Sequence, residues 1–84
     1  MMDIIQTLHE FKEGDDICLK TIDIKGPLKR RLLDLGFVPG TSVKVLQKSP
    51  LGDPVAYQVR GTVIALRKEE AKSIFGCKMG VDQL

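Results

Sequence analysis

Three side chains in this 84-residue sequence have the donor chemistry of metal ligands: His9, Cys18 and Cys77. Imidazole and thiolate bind zinc, iron and copper, but such centres usually need three or four converging donors. No C-x-x-C or H-x-x-x-H spacing brings these three together. They are weak metal candidates, no cofactor is expected, and adventitious zinc or iron is the most they suggest. Cys18 alternates with Ile17 and Leu19, which places it on the opposite strand face, as a surface thiol. Two cysteines do not make a disulfide framework, so two unrelated free thiols in a reducing cytoplasm are expected.

Nucleophilic catalysis finds no support. The serines and threonines fall at caps, turns and strand positions, and one remote histidine cannot serve them as base without an orienting partner. Asp15-Asp16 and Glu69-Glu70 are paired carboxylates, but adjacent side chains diverge and would not flank a substrate. Gly36 and Gly40 end a helical segment and begin a strand, the reverse of the order in which a glycine-rich loop feeds a phosphate-binding helix. The chain is not expected to be an enzyme.

Basic residues raise a second class. Lys29, Arg30 and Arg31 cluster, and Arg60, Arg67 and Lys68 follow, yet 13 basic residues face 11 acidic ones for a net charge of +2. That balance does not indicate nucleic acid by itself. Small barrels that hold single strands stack bases on exposed aromatics, and only Phe11, Phe37, Tyr57 and Phe75 are available. A small-barrel nucleic-acid or transcription-associated domain is therefore the alternative to a protein-binding module. Exposed apolar residues ringed by Lys and Arg are how a small interaction surface looks. The candidate partner-binding residues are Arg30, Leu33, Phe37, Leu51 and Arg60.

The elements that must position these residues are short. "TLHEF" offers one helical turn, and "DICLKTIDI" a strand whose alternation slips between Leu19 and Ile22, as a bulge would cause. Pro27 starts a two-turn helix with Leu28, Leu32 and Leu35 on one face, and Gly36 stands at its C-terminal cap. Pro39-Gly40 suits a type II turn. "TSVKVLQK", "VAYQVRG" and "TVIAL" then read as strands, the last two joined tightly at Gly61. "RKEEAKSI" is a short helical turn and "FGCKMGVDQL" a last strand with a tail.

The expected class is mainly β: a small barrel of about five strands, with the helix between the first and second strands and helical turns near both ends. One domain over residues 1–84 is expected, with 1–6 and 78–84 as frayed ends. No apolar run approaches the ~20 residues that span a bilayer, so no direct membrane insertion is expected. Asp3, with no basic region before the first apolar residues, argues against a secretory signal. Exposed strand edges leave self-association possible.

The corner "RRLLDLGFVPG", the loop and hairpin "SPLGDPVAYQVRG" and the segment "ALRKEEA", in this order, carry a resemblance. From about Leu28 to Ile74 the chain resembles the FeoA family of small proteins of bacterial ferrous-iron transport. The resemblance implies an SH3-like barrel. It also implies a partner, the FeoB membrane permease with its cytoplasmic GTP-binding domain, and a cytoplasmic place peripheral to the inner membrane. Leu28, Leu32, Leu35, Val43, Val45, Val59 and Leu66 match the family's core, and Gly36, Pro39, Gly40, Gly52, Asp53, Pro54 and Gly61 its turns. Glu13-Gly14 stands where the family often has Pro-Gly. No catalytic or metal-ligand cluster is carried over. An iron-binding chaperone using His9, Cys18 and Cys77 is a minor alternative.

Overall fold

The computed structural model describes residues 4–79. Strand β1 (Ile5–Thr7) runs into a single 3-10 turn (Leu8–Glu10), followed by β2 (Asp16–Ile22) and helix α1 (Pro27–Asp34). Strands β3 (Ser42–Lys48), β4 (Val55–Val59) and β5 (Thr62–Leu66) come next, then the four-residue helix α2 (Lys68–Ala71) and strand β6 (Ile74–Lys78). All pairings are antiparallel, in the order β1-β6-β2-β3-β4-β5.

Alternation decides most of these strands. Ile17 and Leu19, Val43 and Val45, and Val55, Tyr57 and Val59 all point inward and are buried. The slip in β2 is real: the register against β6 shifts between Leu19 and Thr21. Arg60 (φ 51°) and Gly61 (φ 78°) make the two-residue β4–β5 connection, both left-handed, whose twist suits a hairpin. Val38 accepts from the Thr41 N–H at 3.0 Å around Pro39-Gly40, with Gly40 at φ 92°, the expected type II turn.

Two expectations are corrected at the ends. Ile5 and Gln6 are not frayed: they pair with Cys77 and Gly76, adding a sixth strand. Three residues are too few to show alternation, and their partner lies at the far end of the chain. Lys78 is likewise the last residue of β6, not part of a loose tail. With β1 counted, the helix lies between the second and third strands.

The packing of α1 also differs from the three-leucine stripe. Leu32 is fully buried, whereas Leu28 is half-buried against the core and Leu35 is also only half-buried. The helix ends in a Schellman motif: the Phe37 N–H donates to the Leu32 carbonyl at 2.9 Å and the Gly36 N–H to the Leu33 carbonyl at 3.1 Å. Gly36 at φ 104° allows that reversal. The motif turns the chain back toward the core at Phe37, which is 0% exposed. Phe37 is therefore core and not part of a partner surface, a correction that follows from the cap.

A second tie holds the start of β2. The Asp15 carboxylate accepts the Lys12 N–H at 2.9 Å and meets the Lys78 ammonium at 3.4 Å. The backbone hydrogen bond, helped by Lys78 and opposed by partial burial, lowers its pKa below the ordinary 3.8. A carboxyl depressed in the folded state contributes stability above its unfolded value and loses it as pH falls through the folded one. Wild type should thus lose more denaturant midpoint than Asp15→Asn on acidification from about pH 5 to about pH 2. Equal losses would show that this tie contributes nothing.

Candidate functional site

Gly26 (φ 81°) and Pro27 start α1, and with Leu32 turned inward the opposite side of the helix faces solvent. A shallow recess there is lined by Gly26, Lys29, Arg30, Leu33 and Asp34. Leu33 is 38% exposed beside Arg30, an apolar centre with cationic flanks. Arg60 reaches the C-terminal end of α1 from the β4–β5 turn. Its Cδ lies so close to Gly36 that a Cβ added there would stand 2.7 Å away. A left-handed, non-glycine residue is unusual, and here the conformation sets the arginine stem over the end of α1. Arg60 also lines a neighbouring recess with Asp16, Thr41, Ser42, Lys44 and Gln58. Arg30 and Leu33 therefore share one recess on the exposed face of α1, while Arg60 lies past the helix end, over Gly36.

Leu51 is elsewhere. It is 92% exposed at the tip of the β3–β4 loop, at the opposite end of β4 from Arg60. A five-residue strand separates them by roughly 13 Å at 3.3 Å per residue. The loop is pinned, not loose. Gly52 and Asp53 donate their N–H groups to the Ser49 carbonyl and Oγ, each at 2.8 Å. The Asp53 carboxylate accepts the Lys68 N–H, also at 2.8 Å.

A third surface escapes sequence reasoning. Leu28, Arg31, Pro54, Val63, Ile64, Arg67 and Glu70 border a groove between α1 and the edge strand β5. Val63 is exposed within it. The available signal was "TVIAL" itself, which has no polar face and so must show apolar residues on both sides.

The three metal candidates do not all converge. Cys18 and Cys77 are directly opposite each other on β2 and β6, which corrects the reading of two unrelated thiols. His9 lies four residues beyond Ile5, the β1 partner of Cys77, and does not join them. Its Nδ1 is buried without a hydrogen-bond partner. Among the described residues, no group of three or more His, Cys, Asp and Glu could hold a metal ion.

Aromatics offer no stacking platform among the described residues. Phe11, Phe37 and Tyr57 are buried, and only Phe75 is partly exposed. The Tyr57 hydroxyl points to the Leu8 carbonyl 3.5 Å away, and burial pushes its pKa up to about 12. No helix among the described residues is long and apolar enough to cross a membrane.

Residues 6–76 match the model of the FeoA domain. The Fe(2+) transport protein A/Fe(2+) transporter FeoB fusion protein of Porphyromonas gingivalis is 36% identical over 67 residues, which are 80% of this chain and 8% of that relative. This chain thus corresponds to a small part of the fusion. The solution structure of FeoA from Chlorobium tepidum superposes with a TM-score of 0.86 at 35% identity, covering 93% of this chain and 74% of that one. FeoA from Stenotrophomonas maltophilia, solved with zinc as an SH3 domain protein, gives 0.72 at 35% identity over 84% of this chain and 88% of that one. With a mainly β, SH3-like fold and a family match running from β1 to β6, this chain belongs to the FeoA family of ferrous-iron transport.

Proposed function

We infer that this domain is a non-enzymatic regulatory module that docks on the cytoplasmic GTP-binding part of a FeoB-type permease. It resides in the cytoplasm and meets the inner membrane only through that partner. The observation that carries this reading is the Porphyromonas relative, in which a segment like this chain is joined covalently to FeoB. Fusion raises the effective concentration of two units that act together. The name of the Stenotrophomonas structure, which puts that FeoA forward as a ferrous-iron transport activating factor, points the same way.

The exposed face of α1 is the surface we assign, because Leu33 there is apolar, exposed and beside Lys29 and Arg30, with Arg60 near the helix end at Gly36. The test is calorimetric titration against the GTP-binding domain of FeoB from the same organism, with and without guanine nucleotide, at two salt concentrations. Wild type should bind saturably. Leu33→Asp should weaken binding by about tenfold or more, since a central apolar contact is worth above about 1 kcal/mol. Its denaturant midpoint should hardly move, as Leu33 is not a core residue. An apolar-centred contact should also weaken less with salt than counterion-release binding to nucleic acid. Absence of wild-type binding would overturn the docking reading. Unchanged affinity in Leu33→Asp would overturn only the surface.

A further inference from the structure

We propose that Cys18, Cys77 and Met79 form a binding site for a soft monovalent d10 cation of the copper(I) class. Strand register sets their placement. Met79 donates its N–H to the Asp16 carbonyl at 2.8 Å, so Asp16 and Met79 are a hydrogen-bonded pair of the β2–β6 ladder. Such pairs alternate along an antiparallel ladder, and two steps on stand Cys18 and Cys77, facing each other directly. The intervening geometry agrees: the N–H and carbonyl of Leu19 turn away from β6, to Thr41 at 2.9 Å and Gly40 at 2.8 Å. Residues opposite one another, and residues two apart, share a sheet face. Three sulfur atoms therefore occupy one face. Ile5, opposite Cys77 on β1, flanks the row with a hydrocarbon side chain, and Cys77 is largely buried.

Spacing separates a bridging metal from a disulfide. Hydrogen-bonded pairs have Cα atoms about 5.5 Å apart, with Cβ atoms toward the upper end of about 4.5–5.5 Å. A disulfide wants Cβ atoms about 3.5–4.5 Å apart, so closing one would pinch the two strands together. Both thiols are free. A metal held between two sulfurs at about 2.3 Å each accepts an S···S separation up to about 4.6 Å, and closing on it requires the Cys18 thiol to leave the Leu19 carbonyl, 3.9 Å away, for the rotamer that faces Cys77.

Donor chemistry then selects the ion. Structural zinc takes four ligands in a tetrahedron, and no such set exists among the described residues. Calcium and magnesium need oxygen donors, and Asp16, on the same face, is turned to the Lys44 ammonium at 3.9 Å. Thiolate with thioether is the donor set that favours copper(I). Met79 is long, partly exposed and diagonal to Cys18, within the reach of an extended side chain. On binding, each thiol gives its proton to solvent as its metal–sulfur bond forms. No electron is transferred.

The experiment is anaerobic competition between the purified 84-residue chain and the copper(I)–bicinchoninate complex, read by loss of the complex's colour. One ion per chain should transfer, and zinc(II) or iron(II) in equal amount should not displace it. Cys18→Ser should lose more affinity than the about 10–100-fold that removal of a mere outer-sphere partner costs, and Met79→Leu should lose less than Cys18→Ser. Alkylation of the wild-type chain, with mass-spectrometric readout, gives a test that needs no variant: one equivalent of copper(I) should protect both cysteines together. The proposal is overturned if no ion transfers, if one ion bridges two chains, if only one cysteine is protected, or if Cys18→Ser, folded, binds as wild type does.

Discussion

Phe37→Ala should destabilise the domain by about 3–5 kcal/mol, the range for truncating a buried aromatic side chain. Phe37 is fully buried, and it is brought there by the helix cap and not by strand alternation. Its ring belongs to the same buried cluster as Leu32, so truncation leaves a cavity in the core. For a small domain with a total stability of about 5–15 kcal/mol, that is a large share. Urea denaturation followed by circular dichroism measures it. The contrast with Leu33, four positions earlier, is the informative part. Phe37→Ala should move the midpoint and reduce partner binding only as far as it unfolds the chain. Leu33→Asp should do the reverse. An unmoved midpoint in Phe37→Ala would return this residue to the surface.

Reading Phe37 as a surface residue shows where sequence patterns stop. Positions spaced by a regular period reveal their face, which is why the inward residues of β3 and β4 were legible. The bulge in β2 and the turns at Gly40 and Gly61 were legible too, because glycine, proline and broken alternation are local signals. Phe37 follows a left-handed glycine, where neither helical nor strand periodicity applies. Leu35 was assigned to the core by helical spacing, but it is the C-cap, and the inward position passed to the residue beyond the reversal.

Long-range pairing was not legible. β1 against β6, and the meeting of Cys18 with Cys77, join residues from opposite ends of the chain. A register shift of one residue would turn every side chain to the other face, and no local feature near Cys77 states the register. The site was half legible for the same reason. Arg30 and Leu33 share a helix and were read together, whereas the contact of Arg60 with the Gly36 corner depends on how the β4–β5 hairpin lies over α1. Leu51 shares the composition of that set but not its location.

Gly76→Ala should be the most damaging conservative change, at about 3 kcal/mol or more, above the usual midrange for overpacking. Glycine inside a strand often marks close approach by another backbone. Gly76 sits within β6, opposite Leu19 and beside the bulge. A Cβ there would lie 2.6 Å from the Cγ2 of Ile17 and 2.7 Å from the Cys18 carbonyl oxygen. The first could be relieved by a side-chain shift. The second cannot, because Cys18 is held in β2 by pairing on both sides, with β6 and with β3. Elsewhere Gly→Ala at a compatible backbone stabilises by about 0.4–1 kcal/mol through the unfolded chain, so the sign itself is diagnostic. The double variant Ile17→Ala/Gly76→Ala separates the two obstacles. If the carbonyl dominates, removing the Ile17 side chain will not rescue folding, and the urea midpoint will fall below that of either single variant. Rescue by Ile17→Ala would assign the damage to the side chain, and a neutral or stabilising Gly76→Ala would mean that β2 and β6 do not approach this closely.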